Sequence, residues 1–383
     1  MSIYSVLVLA LLNAISAFAG RVVLALYALH LGAQPLTVGV LAATFSVFPT
    51  LFSWHAGRLS DQFGARWLLV FAGAGGGLGL LVLYLVPGMP GIFVAASMVG
   101  LSFAIYNVSL QNLVGLLSSS NNRTQYFSNY SLTNSVAKFV GPLIAGFSID
   151  HFSHGSTCFY LVLLSLVPVA MLVMWGGTLP GGTRQVEHGQ GGIREMLSDR
   201  DVGRVLATSS LLQSGQDLFQ FYLPVYAYGI GMSASSIGIV LAMSSAAAFV
   251  VRLILPRLIA SLKEEKVLAY SFFLGAASFM LVPFFKDTMM LSLIAFLFGL
   301  GSGCGQPIVT MLMFSHSAEG RSGEALGLRM TVNHLTRLVG PIAFGFIGSA
   351  LGLPAVFWVN ALMLGTGGAL SRPRTVERSG VRG

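Results

Sequence analysis

Residues 134–147 read NSVAKFVGPLIAGF, and residues 333–346 read NHLTRLVGPIAFGF. Both stretches follow one template: an Asn, a basic residue four positions later, a Val-Gly-Pro tripeptide and a closing Gly-Phe. They start 199 residues apart. In each copy a cationic side chain, Lys138 or Arg337, stands inside an otherwise apolar run. The recurrence predicts an internal structural repeat, and a cation inside each copy predicts a polar interior.

The composition indicates an integral membrane protein. Charged residues make up 9% of the 383-residue chain and hydrophobic residues 55%, with a mean hydropathy of +0.79, whereas a soluble domain is about a quarter charged. Apolar runs of the roughly 20 residues that cross a bilayer recur along the whole chain. They predict an all-α membrane protein with twelve transmembrane helices, at 3–30, 36–56, 67–87, 91–117, 125–149, 156–175, 203–228, 234–256, 266–285, 290–314, 322–349 and 354–371.

The first of these runs also contains Ala17-Phe18-Ala19, which resembles a signal-peptide cleavage site. No basic segment precedes it and the run stays apolar to His30, so we expect a retained first helix.

The polar, Gly-rich segment 177–202 predicts a cytoplasmic linker. It would join an N-terminal six-helix bundle (1–176) to a C-terminal six-helix bundle with a short cytoplasmic tail (203–383). Most of the 21 Lys and Arg residues fall in segments on the side of the linker, which predicts a multi-pass protein of the cell membrane with both termini in the cytoplasm. The basic residues are scattered over short loops without forming a basic face, so we expect no nucleic-acid partner. We expect the chain to act as a monomer in the lipid bilayer.

The repeat extends beyond the opening motif. The same offset places Gly32 on Gly231, Gly39 on Gly238 and Gly100 on Gly299, among other identities. Six helices separate each pair of counterparts, so partner helices cross the membrane in the same direction. This is the pattern of a parallel repeat, in which two bundles can rock about a central site and expose it to each side in turn.

Segment 57–66, GRLSDQFGAR, resembles the loop signature of the major facilitator superfamily, a family of secondary transporters. Gly57, Leu59, Asp61, Gly64 and Arg66 match, while Gln62 and Ala65 replace basic residues. The resemblance implies the two-bundle fold of that family and transport by alternating access. It also implies a conformational latch formed by Gly57, Asp61, Gly64 and Arg66. Gly141-Pro142 partly resembles the family's antiporter motif, but close helix packing explains these Gly and Pro residues better.

Three cations and one acid are predicted deep in the bilayer. Lys138 lies about 18 to 22 Å from either end of its helix at helical rise, and Arg337 is its counterpart in the repeat. With Arg21 they face a single comparably deep acid, Asp217. Because Asp217 cannot neutralise all three, we predict a wet central cavity of net positive charge that attracts an anionic solute. Arg252 and Arg329 lie nearer the cytoplasmic ends, and we expect them to extend towards the cytoplasm.

Amides accompany these charges under the same offset. Asn107 pairs with Gln306, Asn134 with Asn333, and Arg21 with Gln220. In the superfamily fold these positions fall on cavity-lining or interface helices, which implies substrate binding by Arg21, Asn107, Asn134, Lys138, Gln220, Gln306, Asn333 and Arg337. The alternative for each amide is a hydrogen bond between helices. Asp217 is the candidate proton carrier, the alternative being a static ion pair with Arg21 or Arg337.

The leading functional hypothesis is a proton-coupled secondary transporter for a small organic, anionic solute. The alternative is proton-driven efflux of drugs or toxic metabolites. The 27 Phe and 15 Met residues could line an adaptable pocket for such compounds. We find no catalytic motif and therefore predict no enzyme activity, although a sensor built on the same fold stays open. The two cysteines lie in apolar runs, and His30, His55, His316 and His334 show no metal-ligand grouping, so we expect neither a metal nor a cofactor.

Overall fold

The computed structural model of the chain describes residues 3–63, 65–117, 123–179, 199–316 and 322–371. Within these ranges it contains twelve α-helices and no strand. The helices are α1 (Ile3–His30), α2 (Pro35–Phe63), α3 (Ala65–Leu85), α4 (Met89–Leu116), α5 (Arg123–His151), α6 (His154–Trp175), α7 (Arg200–Gly229), α8 (Ala234–Leu262), α9 (Glu264–Leu281), α10 (Thr288–His316), α11 (Ser322–Leu351) and α12 (Leu353–Leu370). Short 3₁₀ turns follow α6 and α9.

The predicted helix count is confirmed, and one predicted loop is wrong. The apolar pattern predicts that α2 ends at residue 56, but the helix continues to Phe63, and α3 begins at Ala65. Most of segment 57–66 is therefore helical. The apolar run does end near residue 56, but a helix that leaves the hydrocarbon can keep its own backbone hydrogen bonds in water, so hydropathy does not mark its end.

Eleven of the twelve described helices are long and apolar enough to cross a membrane. The remaining one, α7, has 30 residues but carries Gln213, Gln216, Asp217 and Gln220 within eight positions. These side chains lower its hydropathy, and neighbouring helices α1, α10, α11 and α12 pack around it. Helix α7 is thus polar because it faces protein and not lipid.

The helices form two six-helix bundles, α1–α6 and α7–α12, whose ends can be told apart by their contacts. Buried residues at the start of α1 and α3 pack with residues at the end of α4 and α6, for example Val6, Leu69, Leu113 and Leu172. We call this the proximal end, because the first and last helices begin and finish there. The opposite, distal end contains the α1–α2 and α7–α8 turns.

The repeat predicted from the sequence is visible in matched backbone geometry. Gly32 and Gly231, 199 residues apart in the sequence, both have φ = +84°, a left-handed conformation that glycine adopts without strain. The hydrogen bonds of the two turns also match. The N–H groups of Gly32 and Gly231 donate to the carbonyls of Leu29 and Tyr228, which are themselves counterparts.

The two bundles meet along two seams, α2 against α11 and α5 against α8. Gly39 packs against the Pro341 carbonyl, and its counterpart Gly238 packs against the Pro142 carbonyl. A Cβ atom at either glycine would overlap that carbonyl. Each Val-Gly-Pro proline therefore supplies the contact surface for a glycine of the opposite bundle, as expected for close-packing positions.

Proline also changes hydrogen bonding within the motif. Pro142 has no N–H group, so the carbonyl four residues earlier, on Lys138, has no partner within its helix. The Ser245 hydroxyl of α8 donates to this carbonyl at 3.2 Å. The repeated motif thus joins the two bundles and places its basic residue one turn from the seam contact.

Candidate functional site

The C-terminal bundle contains a chain of polar contacts centred on α7 and α11. The Gln213 amide donates to Oδ1 of Asp217 at 3.0 Å, since residues four apart lie on one helix face. Nε of Arg337 lies 3.8 Å from the same oxygen, and Nη2 of Arg337 donates to Oε1 of Gln213 at 3.4 Å. Asp217 is therefore held from one side by an amide and from the other by a guanidinium.

This chain extends into α10. The Gln306 amide donates to Oε1 of Gln213 at 3.5 Å, and Nη1 of Arg329 donates to Oε1 of Gln306 at 3.2 Å. Arg329 is only 4% exposed, so the expectation that it extends to the cytoplasm is wrong. Its guanidinium is retained because the Gln306 carbonyl supplies a hydrogen-bond acceptor inside the bundle.

Asp217 is not fully satisfied by these contacts. Its side chain is 13% exposed and that of Arg337 is 43% exposed. Oδ2 of Asp217 is buried, and it has no hydrogen-bond partner among the described residues. One carboxylate oxygen is therefore engaged and the other is free.

In the N-terminal bundle, aromatic rings surround the cations. The Arg21 guanidinium carbon lies 5.6, 5.7 and 5.2 Å from the ring centres of Phe18, Phe45 and Phe103. Nζ of Lys138 lies 5.6 Å from the Phe18 ring centre. Such cation–π contacts stabilise a desolvated cation without neutralising it. Among the described residues, neither Arg21 nor Lys138 has an ion-pair partner within 4 Å.

The charged groups of the two bundles converge. Arg21 interacts electrostatically with Arg337 and Asp217, and Lys138 interacts with both of these, with Arg21 and with Arg252. Lys138 is exposed at the surface of its helix although it lies in the middle of the fold. Among the described residues, the centre of the protein thus holds several cations and one carboxylate.

Arg252 takes part in this centre instead of extending to the cytoplasm, so that expectation is also wrong. Its Nη1 donates to the Ser135 hydroxyl of α5 at 2.7 Å, across the seam between the bundles. Its Nε donates to the Gly303 carbonyl at 3.4 Å. These acceptors satisfy the guanidinium inside the protein, so extension to water is unnecessary.

The predicted amides divide into two groups. Oδ1 of Asn107 accepts hydrogen bonds from Tyr130 at 2.6 Å and from Gln111 at 2.7 Å, while the Asn134 amide donates to the Tyr130 carbonyl at 3.1 Å. Asn333 is 6% exposed and accepts from Ser209 at 2.9 Å. In this state these three asparagines form hydrogen bonds within or between helices. Gln306 belongs to the Asp217 chain of contacts, and Gln220 lies partly buried one turn beyond Asp217 on α7.

The latch predicted by resemblance is only partly described. Gly64 lies outside the described residues, as do the side chain of Asp61 and the surroundings of Gly57. Arg66 donates from Nε to the Leu172 carbonyl at 3.2 Å and from Nη2 to the Val173 carbonyl at 2.9 Å. It also lies over the Trp67 ring at 5.1 Å. In this state Arg66 therefore caps the end of α6 within its own bundle.

Sequence reasoning missed the aromatic surroundings of Arg21 and the seam contact of Arg252. Phe18 stands three residues before Arg21, so helical spacing alone places it on the same face. Phe45 and Phe103 lie on other helices, and nothing in the sequence links them to Arg21. Among the described residues, no three His, Cys, Asp or Glu side chains are grouped so that they could hold a metal ion.

Comparison with known proteins identifies the family and the fold of this chain. The family described as Major Facilitator Superfamily matches residues 6–341 and, in an overlapping match, 266–382. An uncharacterized MFS-type transporter of Methanocaldococcus jannaschii is 20% identical over 363 residues, covering 93% of each chain. The class H tetracycline resistance protein of Pasteurella multocida is 21% identical over 333 residues, covering 85% of this chain and 82% of the relative.

Solved structures share the architecture. A POT family transporter in complex with a thioalcohol-conjugated peptide superposes with a TM-score of 0.80 at 12% identity, over 96% of this chain and 94% of that one. The nucleoside transporter NupG superposes with a TM-score of 0.79 at 14% identity, over 98% and 100%. At these identities the likeness concerns the fold alone. With the family match over nearly the whole sequence, the two six-helix bundles and the polar centre between them, the chain belongs to the Major Facilitator Superfamily and is a multi-pass membrane transporter.

Proposed function

We propose that this transporter moves a small organic anion across the cell membrane by alternating access, coupled to protons. The single observation that carries this proposal is the charge imbalance at the centre. Arg21, Lys138 and Arg337 interact electrostatically with one another there, and Asp217 is the acid that acts on all three. Holding cations at membrane depth without counter-charges is costly, so a negatively charged cargo would complete the site.

The proposed substrate-binding residues would come from both bundles. Arg21 and Lys138, which have cation–π contacts but no paired acid in the described chain, would bind the anionic group of the cargo. Arg337 would bind it from the C-terminal bundle, exchanging its contact with Asp217 for one with the cargo. Gln220 and Gln306 would orient polar groups, and Asn107, Asn134 and Asn333 would join them only after the helix contacts seen here rearrange.

Asp217 would carry the proton. Its free Oδ2 can accept a proton while Oδ1 keeps its contacts with Gln213 and Arg337. Protonation would weaken the attraction between Asp217 and Arg337 and release the guanidinium for the cargo. Proton binding and anion binding at Arg337 would thereby be coupled.

Segment 177–202 would be a cytoplasmic linker between bundles 1–176 and 203–383, and both termini would be cytoplasmic, which makes the distal end the outer one. The latch of Gly57, Asp61, Gly64 and Arg66 would act at the cytoplasmic end. The chain would function as a monomer, without a cofactor and without enzymatic activity.

Similarity to tetracycline resistance proteins of Pasteurella multocida and Escherichia coli favours a second candidate, proton-driven drug efflux. Purified protein reconstituted in liposomes separates the two. Thermal-shift titration with panels of organic anions, sugars and antibiotics, followed by flux of any stabilising compound, should single out anions. Binding confined to uncharged or cationic drugs, with unchanged flux in Lys138→Ala and Arg337→Ala, would instead support drug efflux.

A further inference from the structure

Asp150, in the last turn of α5, binds the first turn of α8 in the opposite bundle. Its Oδ1 accepts from the Ala234 N–H at 3.1 Å, and its Oδ2 accepts from the Ser235 N–H at 2.8 Å. Oδ2 also accepts from the Ser235 hydroxyl. All three donors belong to the C-terminal bundle, so one carboxylate joins the two bundles at the distal end.

The contact completes the N-terminal cap of α8. The first four N–H groups of a helix have no partner within it, and they carry a partial positive charge. The hydroxyl of Ser233, the residue before α8, accepts a hydrogen bond from the Ser236 N–H at 3.2 Å. The Ala234 and Ser235 N–H groups donate to Asp150, so part of this cap comes from the other bundle.

The repeat places a weaker version of the contact on the other seam. Shifting Asp150 and Ser235 by 199 residues gives Ser349 of α11 and Leu36 of α2. The Ser349 hydroxyl accepts from the Leu36 N–H at 3.2 Å. Position and geometry are thus repeated, but a neutral hydroxyl with one hydrogen bond replaces a carboxylate with three.

We propose that Asp150 is a positioning residue of the transport cycle that holds the distal end closed. This proposal rests on the alternating-access function proposed above. The Asp150 contacts join the bundles at that end, so they must break before it opens. The α5–α8 seam is held by charge-assisted hydrogen bonds, which are stronger than the neutral bond of the α2–α11 seam. Release of the Asp150 carboxylate is therefore the larger local barrier to opening.

The test measures the distance between the distal ends of the two bundles. Val86 directly follows α3 and Phe284 lies in the 3₁₀ turn after α9, both at the distal end. Both side chains are exposed, and spin labels at Val86→Cys and Phe284→Cys report their separation by double electron–electron resonance. The native Cys158 and Cys304 are replaced by Ala in all samples. Closed and open molecules should give separate short and long distances in reconstituted protein.

We expect Asp150→Asn to raise the open-to-closed ratio about threefold to tenfold, because the amide keeps one acceptor oxygen but loses the charge that strengthens the hydrogen bonds to the Ala234 and Ser235 N–H groups. Asp150→Glu should restore part of the closed population, and Ser349→Ala should shift the ratio less than Asp150→Asn. The matched control is Asp287→Asn. Asp287 caps α10 at the same end through the Met289 and Met290 N–H groups, but within its own bundle, so its loss should leave the ratio unchanged.

Equal shifts in the Asp150 and Asp287 variants would mean general loosening of the distal end and would overturn the proposal. Two distance populations with a ratio insensitive to Asp150→Asn would overturn the role of Asp150 and leave alternating access intact. A single distance in every variant, with and without a transported solute, would overturn both. Thermal unfolding of each variant identifies loss of fold.

Discussion

Arg337 and Asp217 face each other across the C-terminal bundle with Nε 3.8 Å from Oδ1, and Gln213 contacts both side chains. The separation is at the outer limit of an ion pair, and the second carboxylate oxygen has no described partner. A partly buried pair held this loosely gains little from its Coulomb attraction relative to its desolvation. Such a pair is easily rearranged by a proton or an anion.

The first prediction concerns Asp217. Asp217→Asn keeps the size and the Gln213 contact of the side chain but cannot exchange a proton. We expect accumulation driven by a pH gradient to fall at least about tenfold, while solute exchange at equal pH stays within about threefold. Uptake into liposomes under the two conditions measures this. Asp287→Asn, outside the centre, is the control, and equal loss of exchange and accumulation would assign Asp217 a structural role instead.

The second prediction concerns the anion site. Removing a charged hydrogen-bonding partner costs about 1.5–3 kcal/mol, so Lys138→Ala and Arg337→Ala should weaken binding of an anionic solute about tenfold to a hundredfold. Lys138→Arg should keep much of the affinity. Binding is measured by calorimetry or thermal shift, with Lys263→Ala at an exposed helix end as control. Unchanged affinity in both Ala variants would remove these residues from the site.

The third prediction concerns the seams. Gly238→Ala and Gly39→Ala place a methyl group against the Pro142 and Pro341 carbonyls, and overpacking of this kind costs about 1–3 kcal/mol. We expect a lower thermal unfolding temperature and a wider seam. At Gly365 no atom lies within 4 Å of the point that a Cβ would occupy, so Gly365→Ala should be neutral or slightly stabilising. Three equal effects would show that the seams tolerate the added group.

The fourth prediction separates two roles for Arg66. If its hydrogen bonds to the Leu172 and Val173 carbonyls are its main contribution, Arg66→Ala should speed amide hydrogen exchange at the end of α6. Transport should then change less than about threefold, because the contact lies within one bundle. A large loss of transport with unchanged exchange at α6 would favour the latch role that resemblance implies for this residue.

The architecture was predictable because the bilayer imposes a local rule. Each lipid-facing span must be apolar for about 20 residues and must satisfy its own backbone, so hydropathy alone accounts for eleven of the twelve described helices. The polarity of α7 and the 199-residue offset were equally readable, since both are properties of residue order. The end of α2 was not, because helix continuation outside the membrane leaves no hydropathy signal.

The sequence by itself determined the twelve helices, the repeat and the presence of deep cations in its two Val-Gly-Pro segments. Only the tertiary structure decided the partners of other charged residues. Arg252 binds Ser135, Arg329 binds Gln306, and Asp150 caps α8. These contacts join residues 23 to 117 positions apart, and the hydrogen bonds depend on distance and angle between helices. Residue spacing along a helix fixes which side chains share a face, but it does not fix which face of another helix they meet.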